Sequence, residues 1–325
     1  MSIIRWGIIG CGEVTEVKSG PAFQKASNSQ LVAVMRRNGR LAEDYAKRHQ
    51  VPKWYDNARQ LIEDPQVDAV YIATPPGSHL EYVLMTAAAG KPVYVEKPMA
   101  CNFQECQTML DACQKAGIPL FVAYYRRLLP RFLKVKDLLE SGLIGQVRFV
   151  NTILRQSHHA DLEHSWHLNH KLSGGGRFVD VACHALDLFD YLLGPIATVR
   201  GTAANQAGLY GVEDIVSGQF TFQSGVEGVG LWSFTSFDSY ERAEIVGNQG
   251  SISFGISNTG PITLKTASGT VQYQIDDPQH VQLPLIQSIV SQLNGAGQCP
   301  STGVSGARTN WVMDRFLEEY RKKYL

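Results

Sequence analysis

Little in this chain ties it to a membrane, a nucleic acid or an oxidising compartment. No uninterrupted apolar stretch approaches the roughly 20 residues of a membrane-spanning helix. The 30 basic and 30 acidic side chains cancel, which leaves no net field to draw the chain to a polyanion or an anionic lipid surface. Six cysteines, at positions 11, 101, 106, 113, 183 and 299, contain no Cys-x-x-Cys pair. They are expected to be reduced and mostly buried. No basic stretch precedes the first apolar run, a pattern that points to the cytoplasm rather than to export. Internal repeats and low-complexity tracts are also missing. What remains is an ordinary globular composition, 44% hydrophobic and 18% charged over 325 residues, long enough for two well-buried cores.

Apolar runs and helical stretches alternate along the first 123 residues. Strand-like runs fall at 2–9, 31–35, 53–55, 67–73, 92–95 and 120–123, and helical patterns at 13–26, 41–49, 57–63, 78–89 and 103–116. Such alternation predicts a Rossmann-type, doubly wound parallel sheet. Beyond residue 123 the pattern changes. Helices are predicted at 130–141, 177–193, 283–293 and 307–320, a strand at 145–154, and repeated short β-runs between 197 and 275. The expected division is a dinucleotide-binding domain over 1–123 and an α+β domain with a large, mostly antiparallel sheet over 124–325. Few helices follow residue 194 to cover that sheet. Leu231, Trp232, Phe234 and Phe237 lie in or near its strands, so its open face is expected to pair with a second copy, giving a homodimer or homotetramer.

The first run ends in Gly10-Cys11-Gly12, and Glu13 and Val14 open the helical stretch that follows. A glycine turn between a buried strand and a helix lets main-chain N–H groups approach a pyrophosphate. The third glycine of the usual pattern is replaced by Thr15, and a plain glycine-rich turn is the alternative. The residue that reads the ribose 2′ position follows the second strand of such a fold. Here that place holds Arg36 and Arg37, with Arg40 close behind and no carboxylate before Glu43. Guanidinium groups suit a 2′-phosphate, so NADP(H) is favoured and NAD(H) is the alternative. A solvated basic turn is the plainer reading.

Two further loops follow predicted strands. One is Thr74-Pro75-Pro76-Gly77-Ser78-His79 and the other is Glu96-Lys97-Pro98. Ligands of doubly wound sheets bind at such strand ends, and a lysine there can donate to a substrate oxygen. The alternative is a surface turn. In the second half, Gly174-Gly175-Gly176 precedes a helical pattern in which Asp180, His184 and Asp187 share one face,. A carboxylate one turn before a histidine orients the imidazole and favours its protonated form, which suits acid–base chemistry. A polar structural face is the plainer reading. Five histidines crowd 158–170, with Asp161 and Glu163 among them. Their spacing fits no strong zinc signature, so a polar pocket lining is favoured over a metal site.

In order, Gly10-Cys11-Gly12, Ala73-Thr74-Pro75 with His79, Glu96-Lys97-Pro98, and the glycine run through Asp180, His184 and Asp187 resemble the glucose–fructose oxidoreductase / inositol dehydrogenase / rhizopine-catabolism (Gfo/Idh/MocA) family. The resemblance covers nearly the whole chain. It implies an NAD(P)-dependent oxidoreductase acting on sugars, cyclitols or related diols, with no required metal. It places Gly10 to Val14, Arg36, Arg37, Arg40, Thr74, Pro75, His79, Glu96 and Lys97 at the cofactor. Lys97 and His184 would flank the reacting carbon, with Asp180 behind the histidine and Tyr124, Arg126, Trp166 and His167 at the substrate. Tyr124-Tyr125 and Trp166-His167 depart from the family's usual residues and bear on the substrate more than on the reaction. Arg37 and Arg40 look like the NADP-binding turn of the dimeric dihydrodiol dehydrogenases. Two other activities fit the fold: a non-catalytic dinucleotide-binding regulator, and a glycosidase of this family that holds NAD tightly.

Overall fold

The structure, a computed structural model, describes residues 1–158 and 165–324. It divides into two compact units, Met1–Tyr125 with Pro278–Ala307, and Arg126–Asp277 with Arg308–Leu325. The segment 278–307, which the sequence alone assigns to the second domain, belongs to the first unit. Side-chain and main-chain bonds hold it there: Ser301 Oγ donates to Val122 O at 2.7 Å, and Phe121 and Thr302 form an antiparallel bridge.

In the first unit, β1 (Ile4–Ile9), β2 (Ser29–Met35), β3 (Lys53–Tyr55), β4 (Ala69–Ile72), β5 (Val93–Val95) and β6 (Leu120–Val122) form one parallel sheet in the order β3-β2-β1-β4-β5-β6. Its central strands are buried on both faces, as their continuous apolar runs require. The crossovers carry α1 (Glu13–Val17), α2 (Gly20–Lys25), α3 (Gly39–Arg48), α4 (Ala58–Glu63), α5 (His79–Ala88) and α6 (Phe103–Ala116). Asn38, Asn57 and Asn102 cap α3, α4 and α6 by accepting main-chain N–H groups, the usual role of a short polar side chain at a helix start. The predicted helix over 13–26 is two helices, because Pro21 inside a continuous helix would lose a bond and clash with the preceding turn; it sits in the first turn of α2 instead.

The second unit holds α7 (Pro130–Glu140), β7 (Val147–Arg155), α8 (His170–Ser173), α9 (Arg177–Leu193), β8 (Ile196–Ala204), β9 (Ile215–Phe222), β10 (Glu227–Ser233), β11 (Tyr240–Gly247), β12 (Gly250–Phe254), β13 (Ile262–Thr266) and β14 (Gly269–Tyr273). Its eight strands run β14-β13-β12-β11-β7-β10-β9-β8. All neighbours are antiparallel except β7 and β10. In the first unit α10 spans Leu283–Leu293, and α11 (Gly303–Tyr324) passes from the first unit into the second.

The sheet's two faces differ with the period of two that a pleated strand imposes. On the inner face Trp232 packs edge-on against Phe178 of α9 and Phe316 of α11, with ring centroids 5.2 and 5.5 Å away. Phe149 and Val229 point the other way and are 40% and 50% exposed, with half-buried Ile153 and Leu231 paired beside them. Trp232 and Phe234, expected on the open face, are instead buried at 1% and 4% exposure, while Phe237 is fully exposed. Among the described residues no helix is long and apolar enough to cross a membrane, and all six cysteines are free thiols, five of them buried.

Candidate active site

In the first unit the strand order reverses between β1 and β4, and the glycine turn sits there. Gly10 has φ +90°, and a Cβ on it would lie 2.7 Å from Thr74 Cγ2. Only glycine meets both demands. The N–H groups of Gly10 and Cys11 donate to Met35 O at 2.8 and 3.1 Å, which ties the turn to the end of β2. A Cβ on Gly12 would make only an ordinary contact, 3.8 Å from Gly10 O. Glu13 is exposed and Val14 half-buried. Cys11 is buried, and burial pushes its thiol up to about 11. Thr15, in the place of the third glycine, donates from Oγ1 to Gly12 O at 2.7 Å and accepts Tyr45 Oη–H on its carbonyl at 2.8 Å. Gly20 is also packed closely: a Cβ there would lie 2.1 Å from Tyr45 Oη and 2.2 Å from Thr15 O.

Arg36 and Arg37 follow β2 directly, Arg40 lies in the first turn of α3, and all three are exposed. Among the described residues their guanidinium groups form no ion pair. One carboxylate escaped the sequence reading: Asp56, just after β3, has Oδ2 3.7 Å from the place of a Cβ on Gly39. The pairing of β3 beside β2 brings it there, and strand neighbours are not visible in sequence spacing.

Two expected cofactor contacts turn out to be supports. His79 is fully buried, and its ring nitrogens lie 2.7 Å from Thr74 O and 3.1 Å from Met99 O. It braces the Thr74–Pro75 loop against the segment after β5, and burial holds its pKa below the usual histidine range. Glu96 is also buried. Its Oε1 accepts Tyr71 Oη–H at 2.5 Å and Gln282 Nε2–H at 2.6 Å, and its Oε2 accepts the main-chain N–H of Lys97 at 3.1 Å. Tyr94 Oη donates to Gln282 Oε1 at 2.7 Å. Glu96 therefore holds the backbone of Lys97, whose own side chain is half-buried and precedes a cis proline. Nothing in the sequence marks Gln282; only the return of 278–307 to this unit brings it under Lys97. Thr74 and Pro75 stay half-buried, and Tyr124 is buried.

In the second unit α9 is capped by Gly176 and runs for 17 residues. Its first turn is partly open, Ala182 to Asp190 are buried, and Tyr191 to Leu193 are half-buried. Asp180 is half-buried and lies 3.9 Å from His167 Nε2. Trp166 stacks on the His167 ring at 3.7 Å, and Ser165 Oγ is 2.6 Å from His167 Nδ1. His184, one turn beyond Asp180, is 7% exposed. Trp166, His167 and Asp180 are thus brought together. Arg126 is half-buried and donates from Nε to Ile256 O at 3.0 Å. A small hollow opens beside the start of α9, lined by Gln156, His158, Leu168, Arg177, Tyr210 and Phe234, among others.

Asp187 does not join this group. It is buried, and Arg127 donates to it from Nε at 2.9 Å and from Nη2 at 2.7 Å. Arg127 also reaches Asp190 at 3.2 Å, and Arg308 donates twice to Asp190 at 2.8 and 2.7 Å. The helical spacing places Asp187 on the line of Asp180, but α9 has entered the core by then, so the carboxyl needs a buried cation. Burial pushes Asp187 up to about 6 against the pull of Arg127, whose guanidinium is held firmly charged. Among the described residues no group of three His, Cys, Asp or Glu is arranged to hold a metal. His159, Asp161, Glu163 and His164 lie outside the described residues.

A parallel sheet in this order, with a glycine turn at its reversal point, defines a dinucleotide-binding unit. In the same chain a second unit carries a carboxylate and a histidine one turn apart on one helix. Together they describe a two-unit oxidoreductase. Residues 4–124 match the oxidoreductase family with an NAD-binding Rossmann fold, and residues 132–253 match the GFO/IDH/MocA C-terminal domain. The chain belongs to the GFO/IDH/MocA family and is an NAD(P)-dependent oxidoreductase. It is 40% identical to oxidoreductase P35 of Formosa agariphila, over 97% of this chain and 98% of that protein. It is 29% identical to the 1,5-anhydro-D-fructose reductase of Ensifer adhaerens, over 93% and 92%. Among solved structures, the aldose-aldose oxidoreductase of Caulobacter crescentus, complexed with glycerol, superposes with a TM-score of 0.84 at 25% identity, over 98% of each chain.

Proposed function

We propose that this protein transfers a hydride between NADP(H) and a carbinol or carbonyl carbon of a sugar, cyclitol or related diol. The observation that carries the cofactor choice is the trio of exposed, unpaired guanidinium groups, Arg36, Arg37 and Arg40, around the end of β2. Such a group favours a 2′-phosphate over a 2′-hydroxyl. The sugar chemistry is supported by two similar proteins, an anhydrofructose reductase and an aldose-aldose oxidoreductase.

The nicotinamide supplies or accepts the hydride. The main chain from Gly10 to Gly12 faces the pyrophosphate, and Thr74 and Pro75 line the cofactor's path beyond it. His184 takes the proton of the reacting hydroxyl, or returns it to the carbonyl oxygen. Asp180 orients His184 and stabilises its charged form, and His167 lies beside that carboxylate, 3.9 Å away. Lys97, with its backbone fixed by Glu96, donates to the same or a neighbouring substrate oxygen. Tyr124, Arg126 and Trp166 shape the remainder of the substrate site. Presence of this acid–base set speaks against a mere sensor, which needs none. The arginines speak against a glycosidase that holds NAD. The apolar outer face of the sheet, centred on Phe149, Ile153, Val229 and Leu231, pairs with the same face of a second copy.

The test is a screen of sugars, ketoses, inositols and diols, following the absorbance of the reduced cofactor with NAD(H) and NADP(H) in parallel. The reading expects turnover of a polyhydroxylated substrate, with NADP(H) preferred. Preference for NADH would overturn the cofactor assignment. Glycoside cleavage without net cofactor turnover would overturn the reaction.

A further inference from the structure

Glu213 is fully buried just ahead of β9. Its Oε1 accepts the main-chain N–H of Gly176 at 2.7 Å, and Gly176 is the residue that caps the start of α9. Glycine makes the room for this carboxyl. A Cβ on Gly176 would stand 2.9 Å from Glu213 Oε1 and 2.8 Å from its carbonyl oxygen, and one on Gly175 would stand 3.3 Å from Oε1. The neighbouring Asp214 is equally buried but bonded on both oxygens, to the N–H groups of Gln206 and Ala207 at 2.8 and 2.7 Å. Glu213 Oε2, by contrast, is buried without a partner among the described residues.

An acid buried with an unpaired oxygen costs stability that an apolar side chain of the same size would spare. Its bond to Gly176 leads to the first turn of the helix that carries Asp180 and His184. A carboxyl at that end also meets the positive pole of the helix. Arg321 takes the same glycine run from another direction, donating to Gly174 O at 2.5 Å.

We propose that Glu213 is a positioning residue for the reaction: its bond to Gly176 sets the start of α9, and through it the placement of Asp180 and His184. The inference rests on the reading of those two residues as the proton-transfer pair. Displacing a catalytic group by about 1 Å can cost on the order of 100-fold in rate, so a loosened first turn is felt in turnover before it is felt in cofactor binding.

The experiment compares Glu213→Gln, Glu213→Asp and Glu213→Leu in the full chain. Gln keeps a carbonyl oxygen for the Gly176 N–H. Asp draws the acceptor back by one methylene, and Leu removes it while filling the space. The readouts are kcat and KM with the substrate found by the screen, NADPH affinity by fluorescence titration, and hydrogen exchange across the glycine run. Glu213→Asp and Glu213→Leu are expected to lose about tenfold or more in kcat, with NADPH affinity unchanged and faster exchange at 174–176. Glu213→Gln is expected to restore both. Wild-type kcat in folded Glu213→Asp or Glu213→Leu overturns the proposal, as does a Glu213→Gln as impaired as Glu213→Leu. Failure of the underlying reading shows elsewhere, as undiminished turnover in His184→Ala, and the exchange measurement needs no turnover at all.

Discussion

Removing Arg127 should cost the fold far more than it costs the chemistry. Its guanidinium is 4% exposed and forms two short bonds to Asp187, which is 1% exposed. Arg127→Met leaves the aliphatic volume and withdraws the charge, so Asp187 is stranded in the core. Breaking a buried pair from one side costs about 3–5 kcal/mol. Part of the network survives, because Arg308 still pairs with Asp190, which favours the lower half of that range. For a unit of this size about 3 kcal/mol corresponds to roughly a 10 °C fall in melting temperature. The pH dependence has a definite sign. Burial already pushes Asp187 up to about 6 with Arg127 present; without the arginine it rises further, and the folded variant must keep a proton that the unfolded chain has released. The penalty therefore grows as the pH rises through 6 and shrinks below it. Thermal melts followed by circular dichroism at pH 5.5 and pH 8 measure both effects. A variant melting within about 2 °C of wild type at pH 8, or one penalised more at pH 5.5 than at pH 8, refutes this account of the network. Asp180→Asn, seven residues earlier on the same helix, is the control. It should melt like wild type and lose turnover.

Three other outcomes follow from the structure. Arg37→Ala should raise KM for NADPH far more than KM for NADH, since a charge-assisted contact is worth on the order of 1.5–3 kcal/mol; steady-state kinetics with both cofactors checks it, and equal effects refute it. Burial pushes Glu213 up to about 7 from 4.5, in the company of Arg321, Asp214, Tyr210 and Tyr320. Between those values the folded chain holds a proton that the unfolded chain has lost, so stability falls as pH rises, by about 3 kcal/mol in all. Glu213→Gln should flatten that fall, and parallel melting curves against pH for the two proteins would contradict it. Val229→Glu, on the open face of the sheet, should turn a dimer or tetramer into a monomer in light scattering at micromolar concentration, whereas a wild type that is already monomeric removes the basis of the interface.

Most of the fold was legible because its signals are local. The parallel sheet shows as apolar runs spaced by helical stretches, and the glycine turn directly follows the first run. The break within 13–26 is also written locally, in Gly20-Pro21, where the apolar spacing alone suggests one longer helix. Long-range pairing was less legible. Leu231 and Trp232 are neighbours in sequence, yet alternation puts Leu231 toward the open face and Trp232 in the core. Asp180 and Asp187 share a helix line but differ in depth, which depends on what packs over each turn. Glu96 and His79 read from the sequence as cofactor contacts, yet both are buried and bonded to neighbouring loops, because burial decides whether a polar side chain faces outward or supports its neighbour. Gln282, Glu213 and Arg308 carried no signal, since each acts on a partner more than 35 residues away in the chain.

The most direct test of the central claim is single-turnover hydride transfer from saturating NADPH in His184→Ala, with the substrate that the screen identifies. The account predicts a rate lower by about 10²–10⁴-fold in a protein that melts normally and still binds NADPH, because the proton-transfer group lies in the second unit and the nucleotide turn in the first. Transfer at near the wild-type rate would contradict it, and would return Asp180 and His184 to the role of a polar structural face.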